Sequence, residues 1–490
     1  MKTVAPSLLA VPRSWDQGDP DRLPPSHKVF ALRDLPFAEV KAVGFDMDYT
    51  LARYRSPEID ALAFTKALRF LVREKDYPVF LLESHYDPAF AVRGLILDGE
   101  HGNLLKLAAD RQVVRATHGR RMLEPAEIEA VYGRRRLTVS VPGFRSIDTL
   151  FEISECGLYA QLVDALDAGK LPGKTYMGLF HDVRWAIDTA HRQGDMKAEI
   201  LSHRDFFIPK DPQLGPALER LRRGGKKVFL LTNSEWAFTD GVLSHMMDGQ
   251  DEAHPRWTDH FDLIVVQSRK PLFYTEGTEP KPVPGCDHAF TGGHAAWLED
   301  KLQAGGEEIL YVGDHIYGDV LRSKKTASWR TMLLVPELER ELELLEQKGP
   351  ELREIIRLEA QRRRALRKAS MLSDQVEGKR HRRHALAAKA SPEALTALDR
   401  EMAATAAEAE AQMGRARACA AEVAKLNHVV EAAFSPLWGP IFRDGYEQTR
   451  FADQIHQYAC AYTGRVSNFS FVDPRSTLYA PLPTLPHERV

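Results

Sequence analysis

Short apolar runs punctuate the chain, and four of them end in polar residues suited to chemistry. They are "KAVGFDMD" at 41–48, "KKVFLLTNS" at 226–234, "DLIVVQSRK" at 262–270 and "EILYVGDH" at 308–315, with a fifth run, "WRTMLLVPE", at 329–337. Each is too short for a helix and apolar on both faces, as strands buried in a parallel sheet are. Amphipathic helical patterns lie between them, such as "PALERLRRGG" before the second and "HAAWLEDKLQAGG" before the fourth. The pairs Gly224–Gly225 and Gly305–Gly306 read as helix stops. Strand–helix alternation of this kind predicts a doubly wound α/β fold. Ligands in such sheets sit at the carboxyl ends of the strands, so Asp46, Thr232, Lys270 and Asp314 are expected to converge on one crevice.

The spacing of these runs divides the chain. Residues 1–26 read as a loose, proline-rich leader, and 27–54 as the first core strand with its acidic motif. Residues 55–200 are an insertion large enough for a cap domain, and "GLFHDVRWAIDTAHRQG" within it predicts an amphipathic helix closed by Gly194. Residues 201–336 complete the core. From 337 to 433 the chain turns rich in Ala, Glu, Arg and Leu, the composition of a long helical excursion, with no clean sustained heptad. Residues 434–490 are expected to return to the core.

Composition narrows the class. With 490 residues, 44% hydrophobic and 28% charged, the chain reads as a soluble globular protein of several domains. A formal charge of −3 argues against a dedicated nucleic-acid binder. The basic clusters "QRRRALRK" and "KRHRRH" sit among acidic residues and read as solvated helix faces. No apolar stretch is long enough to span a bilayer, and Pro6 and Pro12 interrupt the segment where a signal peptide would need its apolar region. Cys156, Cys286, Cys419 and Cys460 form no CxxC pair, so neither a zinc site nor a disulfide framework is predicted. A reducing, cytoplasmic location follows.

Asp46-x-Asp48-x-Thr50, taken alone, also suits a turn or a helix N-cap. The later strand ends change its meaning: Thr232-Asn233-Ser234, Lys270, and "GDHIYGD" with Asp314 and Asp319 follow in order. Clustered carboxylates suit Mg²⁺, a hard ion that prefers oxygen ligands, and the ion offsets repulsion among Asp46, Asp48 and Asp314. A carboxylate is also a competent nucleophile toward phosphorus, and a second one can carry the proton of the leaving oxygen. Lys270 and the Thr232 hydroxyl suit the phosphoryl oxygens.

These blocks resemble the haloacid dehalogenase superfamily of phosphotransferases. They are most similar to its cytosolic purine 5′-nucleotidases, specific for IMP and GMP, through "FDMDYTLARYRSPE", "VRGLILDGEHGNLLKL", "FLLTNS", "SRKPLFY", "YVGDHIYGDVLRSKK" and "WRTMLLVPELERELE". The resemblance covers roughly residues 40–345 and, more weakly, "FADQIHQYACAY". It implies Asp46 as nucleophile, Asp48 as general acid/base, and Mg²⁺ held by Asp46, the Asp48 carbonyl and Asp314, with Asp319 supporting the metal shell. Thr232 and Lys270 would meet the phosphate, with Asn233 and Ser234 beside the substrate. Arg184, Asp188 and Lys197 stand where the family's substrate-binding residues stand, and Phe151 where an aromatic stacks on the purine. Without the resemblance, Arg184 and Asp188 are simply an i, i+4 pair able to bridge each other, Phe151 would be core, and His191 would cap or pack.

The implied partners are a purine nucleoside monophosphate and further copies of the chain in a dimer or tetramer, with no nucleic acid and no membrane. Tyr317, Lys325, Gln454 and Tyr458 are compatible with the family's second nucleotide site. Asp148 stands where an Asn is expected and Gln457 where an Arg is, which predicts weak regulation by ATP. Two rival readings are a phosphatase for another phosphorylated metabolite and a catalytically silent scaffold on the same fold.

Overall fold

A computed structural model describes residues 23–133, 135–192 and 195–481. Most of the expected leader, the Gly194 stop and the last residues of the proline-rich C-terminus lie outside the described residues. The chain forms two compact units, one from Met1–Leu342 with Ile441–Val490, the other from Glu343–Pro440.

The first unit is built on a nine-stranded sheet. Its order is Phe30–Ala31, Ala461–Thr463, Arg330–Leu334, Ile309–Gly313, Ala42–Phe45, Lys227–Leu231, Leu263–Val266, Cys286–Thr291, Lys281–Val283. Only the two edge strands pair antiparallel; the seven between them run parallel. The five apolar runs supply five adjacent central strands, buried on both faces. From Ala42–Phe45 the chain builds outward on one side, then returns to Ile309–Gly313 and builds outward on the other. The order therefore reverses between these two strands, where an open α/β sheet offers a crevice. Asp46 and Asp314 are the first residues past their ends.

Gly44 is set by packing. A Cβ there would lie 2.1 Å from the Phe229 ring of the neighbouring strand, so the central strand gives up a side chain to let that ring cross it. Phe229, Tyr311 and Trp329 then form a buried aromatic core with Leu231, Val265 and Phe273. Each such side chain contributes about 2–3 kcal/mol by leaving water.

Gly224 caps the Leu214–Arg223 helix as expected. The second predicted stop is corrected. Helix Ala295–Leu302 ends two residues before Gly305, at Gln303 in the left-handed conformation (φ 52°), because its last carbonyls are already taken by the Gln303 and Ala304 amides.

Residues 96–146 include a five-stranded antiparallel sheet ordered Arg121–Met122, Val113–His118, Asn103–Leu107, Ile96–Asp98, Phe144–Ser146. Helices Ser56–Glu74, Ile153–Asp167 and Tyr176–Arg192 accompany it. The last buries Leu179, Phe180, Val183, Ala186, Ile187 and Ala190 along one face, which turns Arg184 and Asp188 away from that stripe.

The second unit is an antiparallel helical hairpin, Gly349–Leu386 against Pro392–Phe434. Ile355, Leu358, Val423 and Val430 form its apolar seam near the base. Toward the tip, Lys368–Glu408, Lys379–Glu401 and Arg383–Asp399 pairs cross between the helices, so the basic clusters are partly neutralised within the hairpin.

Candidate active site

The Asp46 amide donates to the Val312 carbonyl at 2.9 Å, which ties the acidic loop to the neighbouring strand. Lys270 Nζ lies 3.0 Å from Asp46 Oδ1, 2.7 Å from Asp319 Oδ1 and 2.7 Å from the Tyr311 hydroxyl. Those three acceptors use every N–H of the ammonium. Asn233 fixes the Lys270 loop: its Oδ1 accepts from the Lys270 amide at 2.6 Å and the Ser268 hydroxyl at 2.9 Å, while its Nδ2 donates to the Lys270 carbonyl.

Asp314 accepts from the Thr149 hydroxyl at 3.0 Å, and the buried Arg93 donates to its carbonyl at 3.1 Å. Asp46, Asp314 and Asp319 each bring one carboxylate oxygen within 4.8 Å of the others. A Cβ on Gly313 would lie 2.4 Å from Asp319 Oδ2, so only glycine lets that carboxylate fold back onto the cluster. Burial pushes the Asp46 carboxyl up to about 7; Lys270 opposes the rise, and Asp319 and Asp48 add to it. Burial raises Asp314 well above the ordinary range, with Asp319 and Asp46 adding. Three carboxylate oxygens brought together in a buried site are a donor set that a divalent metal ion fits.

Asp48 faces a different way. Tyr49 takes a left-handed backbone (φ 55°) just after it. Tyr54 donates to Asp48 Oδ1 at 2.5 Å and Ser234 to Oδ2 at 2.7 Å. Burial raises its pKa, against the pull of those two hydroxyls and of Lys197 and Lys270. Thr232 is buried, and its hydroxyl accepts from the Ser234 amide at 3.2 Å.

A cavity of about 480 Å³ opens beside Asp48, lined by Phe151, Arg184, Asp188, Lys197, Asn233 and Ser234 among others. Arg184 and Asp188 do bridge each other, through two contacts of 3.1 Å. Arg184 Nη1 also donates to Glu152 at 2.5 Å and lies 3.3 Å from Glu155. Lys197 pairs with Glu235 at 2.7 Å. The Phe151 ring stands edge-on to Tyr49 and to His191. Burial lowers the His191 pKa, and its Nδ1 lies 2.9 Å from the Ile187 carbonyl.

The 5′ nucleotidase family model matches residues 29–490. The chain belongs to the 5′ nucleotidase family. It is similar to a 5′-nucleotidase domain-containing protein of Dictyostelium discoideum, 27% identical over 94% of this chain and 74% of the relative. The 5′-nucleotidase domain-containing protein 2 of Rattus norvegicus is 29% identical, and that of Homo sapiens 28%. Each of these covers 65% of this chain, which spans 60% and 64% of their respective lengths. The family lies in the haloacid dehalogenase superfamily and supports a hydrolase reading.

Several members of the site are invisible to sequence pattern. Thr149 and Arg93 reach Asp314 from 165 and 221 residues away, and no local spacing announces them. Glu152 adjoins Phe151 and Tyr54 closes the "DMDYTLARY" loop, so proximity in sequence to Phe151 and Asp48 is the signal that marks both. The residues weighed for a second nucleotide site are partly spoken for. Asp148 Oδ1 lies 3.6 Å from Arg450, the Gln457 amide donates to Asp453, and Lys325 sits over the Tyr458 ring. Tyr317 is partly exposed beside Arg322, and Gln454 Oε1 is buried with no hydrogen-bond partner among the described residues.

Proposed function

We propose that this chain is a Mg²⁺-dependent 5′-nucleotidase acting on the 6-oxopurine monophosphates IMP and GMP, through a haloacid dehalogenase core and an inserted cap. The observation that carries the reading is the division of labour between two neighbouring carboxylates. Asp46 is braced by a lysine, while Asp48 is held by two hydroxyls beside a cavity of nucleotide size. Asp46 and Asp314, with the Asp48 carbonyl, would hold Mg²⁺, and Asp319 would support them. When bound, the ion neutralises charge on the phosphoryl oxygens.

The chain's own residues account for the covalent steps. Asp46 attacks phosphorus, the bond to O5′ breaks, and protonated Asp48 gives its proton to the departing nucleoside oxygen. The raised pKa of Asp48 supports that starting protonation. Asp48, now ionised, takes a proton from the water that attacks the aspartyl phosphate, which frees phosphate and restores Asp46. A nucleoside hydroxyl in place of water gives phosphotransfer. Thr232 donates to the phosphoryl group, and Phe151, Arg184, Asp188 and Lys197 hold the nucleoside.

The test is phosphate release from IMP, GMP, AMP and non-nucleotide phosphomonoesters, with and without Mg²⁺, together with mass-spectrometric detection of phosphorylated Asp46. Release from IMP and GMP that needs Mg²⁺ is expected; no release from any nucleotide overturns the reading. No helix among the described residues is long and apolar enough to cross a membrane. A cytoplasmic location is supported by free cysteines at 156, 286, 419 and 460. The dimer or tetramer is open to light scattering.

A further inference from the structure

Arg184 stands on the cavity wall already partnered. Its Nε donates to Asp188 Oδ2 and its Nη2 pairs with Asp188 Oδ1, both at 3.1 Å. Its Nη1 donates to Glu152 Oε1 at 2.5 Å and to Glu155 Oε2 at 3.3 Å. Those contacts use four of the five guanidinium N–H groups and leave one, on Nη2. We propose that Glu152 is a base-specificity residue of this site: one oxygen holds Arg184, and the other accepts from a purine 2-amino group. The chain then prefers GMP to IMP and rejects XMP, the xanthosine monophosphate. This inference rests on the nucleotidase reading and extends it from position 6 of the ring to position 2.

The two glutamates beside Arg184 differ in what they have left to offer. The Glu155 side chain is fully buried and both its oxygens are used, Oε1 by Arg145 and Oε2 by Arg184. Glu152 Oε1 serves Arg184, whereas its Oε2 accepts from no described residue. That side chain keeps 15% exposure and lines the cavity. A carboxylate oxygen only accepts, so the wall holds an acceptor that nothing in the protein fills.

The arrangement is braced from behind. Arg145 lies over the Phe180 ring and donates to the Phe180 carbonyl, which fixes Glu155, and Glu155 and Glu152 together fix Arg184 Nη1. Phe151 and Glu152 are successive residues of the Leu150–Glu152 turn, and both line the cavity. A purine stacked on Phe151 has its edge beside the next residue of that turn.

The groups still open on this wall are one donor, the last Arg184 N–H, and acceptors on Asp188 and Glu152. Guanine is their complement, with an acceptor at O6 and donors at N1–H and the 2-amino group. Hypoxanthine matches the first two and leaves Glu152 Oε2 to water. Xanthine turns a carbonyl oxygen toward Glu152, acceptor against acceptor. Hydrogen bonds to charged groups are the stronger ones, so the 2-amino contact is expected to favour GMP over IMP by about tenfold.

The test is isothermal titration of full-length Asp46→Asn, whose amide cannot form the aspartyl phosphate, with GMP, IMP and XMP in Mg²⁺. About tenfold tighter binding of GMP than of IMP is expected, with XMP weakest, and kcat/KM in the unaltered chain should follow the same order. Adding Glu152→Gln supplies the discriminating readout. Its amide oxygen can still hold Arg184 while its N–H₂ turns to the ring, so XMP should gain on GMP at least tenfold. A residue that only braced Arg184 would change all three nucleotides alike, since they share O6. Thermal melts establish that the variant is folded, and the order of affinities before that change is decisive without it. Equal affinity for GMP and IMP, or a GMP-to-XMP ratio unmoved in folded Glu152→Gln, overturns the proposal. Binding in the expected order with no phosphate release from the unaltered chain would overturn the nucleotidase reading and leave this one standing; no binding of any of the three overturns both.

Discussion

Lys270 commits three donors to three acceptors, and that arithmetic makes it the residue whose loss is easiest to foresee. Lys270→Met leaves Asp46 and Asp319 facing each other without their shared cation. Phosphate release from IMP is expected to fall about 10²–10³-fold, the scale for losing a preorganised electrostatic partner. Lys270→Arg should not rescue it, since a planar guanidinium cannot reach the same three acceptors; near-normal rates in either variant would contradict the assigned role. Base selection is also decided at this scale. A 6-oxopurine offers an acceptor at O6 and a donor at N1–H, matching Arg184, which only donates, and ionised Asp188, which only accepts. Adenine reverses both. An unpaired buried polar group costs about 1–3 kcal/mol, so Asp188→Asn is expected to narrow the IMP-to-AMP ratio of kcat/KM by about tenfold while sparing turnover of IMP. Equal efficiency on IMP and AMP in the unaltered chain would remove this assignment.

At the scale of elements, the loop before the Leu150–Glu152 turn and the helix Arg450–Tyr458 are joined by Asp148 and Arg450, both largely buried. The neighbouring Thr149 holds Asp314. Arg450→Leu strands a buried carboxylate and is expected to cost about 3 kcal/mol in chemical denaturation, with much of the loss recovered in Asp148→Leu/Arg450→Leu. The same pair argues that millimolar ATP will activate phosphate release little, because Asp148 already occupies its nearby cation and Gln457 supplies none. A several-fold rise across an ATP titration at fixed free Mg²⁺ would contradict this.

Elements also mark the limit of what sequence pattern reveals. The central parallel strands were legible because four or five consecutive apolar residues buried on both faces leave a plain trace. Phe30–Ala31 and Ala461–Thr463 left none: two or three residues are too few for any period, and their pairing depends on partners more than four hundred positions away. The acidic loop residues were legible by their place after apolar runs. Thr149 and Arg93 were not, since only the folded chain brings them to Asp314. The Arg184–Asp188 bridge shows a different limit, because one spacing serves both a surface ion pair and a ligand pair, and here the bridge forms on a cavity wall.

For the whole molecule, stability is tied to pH through acids buried away from the Asp46, Asp314 and Asp319 cluster. Glu341 lies on the Leu338–Gln347 helix, 8% exposed. Burial pushes it up to about 7; backbone bonds at Ile441 and Phe442 and the charge of Lys106 oppose the rise, and Glu337 adds to it. A carboxyl whose folded pKa exceeds its unfolded one binds its proton more tightly when folded. Its contribution is therefore fully present below pH 4.5 and is lost as pH rises through about 7. Thermal melts of the unaltered chain should lose stability between pH 5 and pH 8. Glu341→Gln, which keeps the shape and removes the charge, should flatten that slope, match the unaltered chain near pH 4.5 and exceed it at pH 8 by about 2–3 kcal/mol. Asp60→Asn is expected to act in the same direction, over a window reaching about pH 8. Parallel melts of the unaltered chain and Glu341→Gln at every pH would show that Glu341 ionises freely in the fold, and would contradict the burial argument at this position.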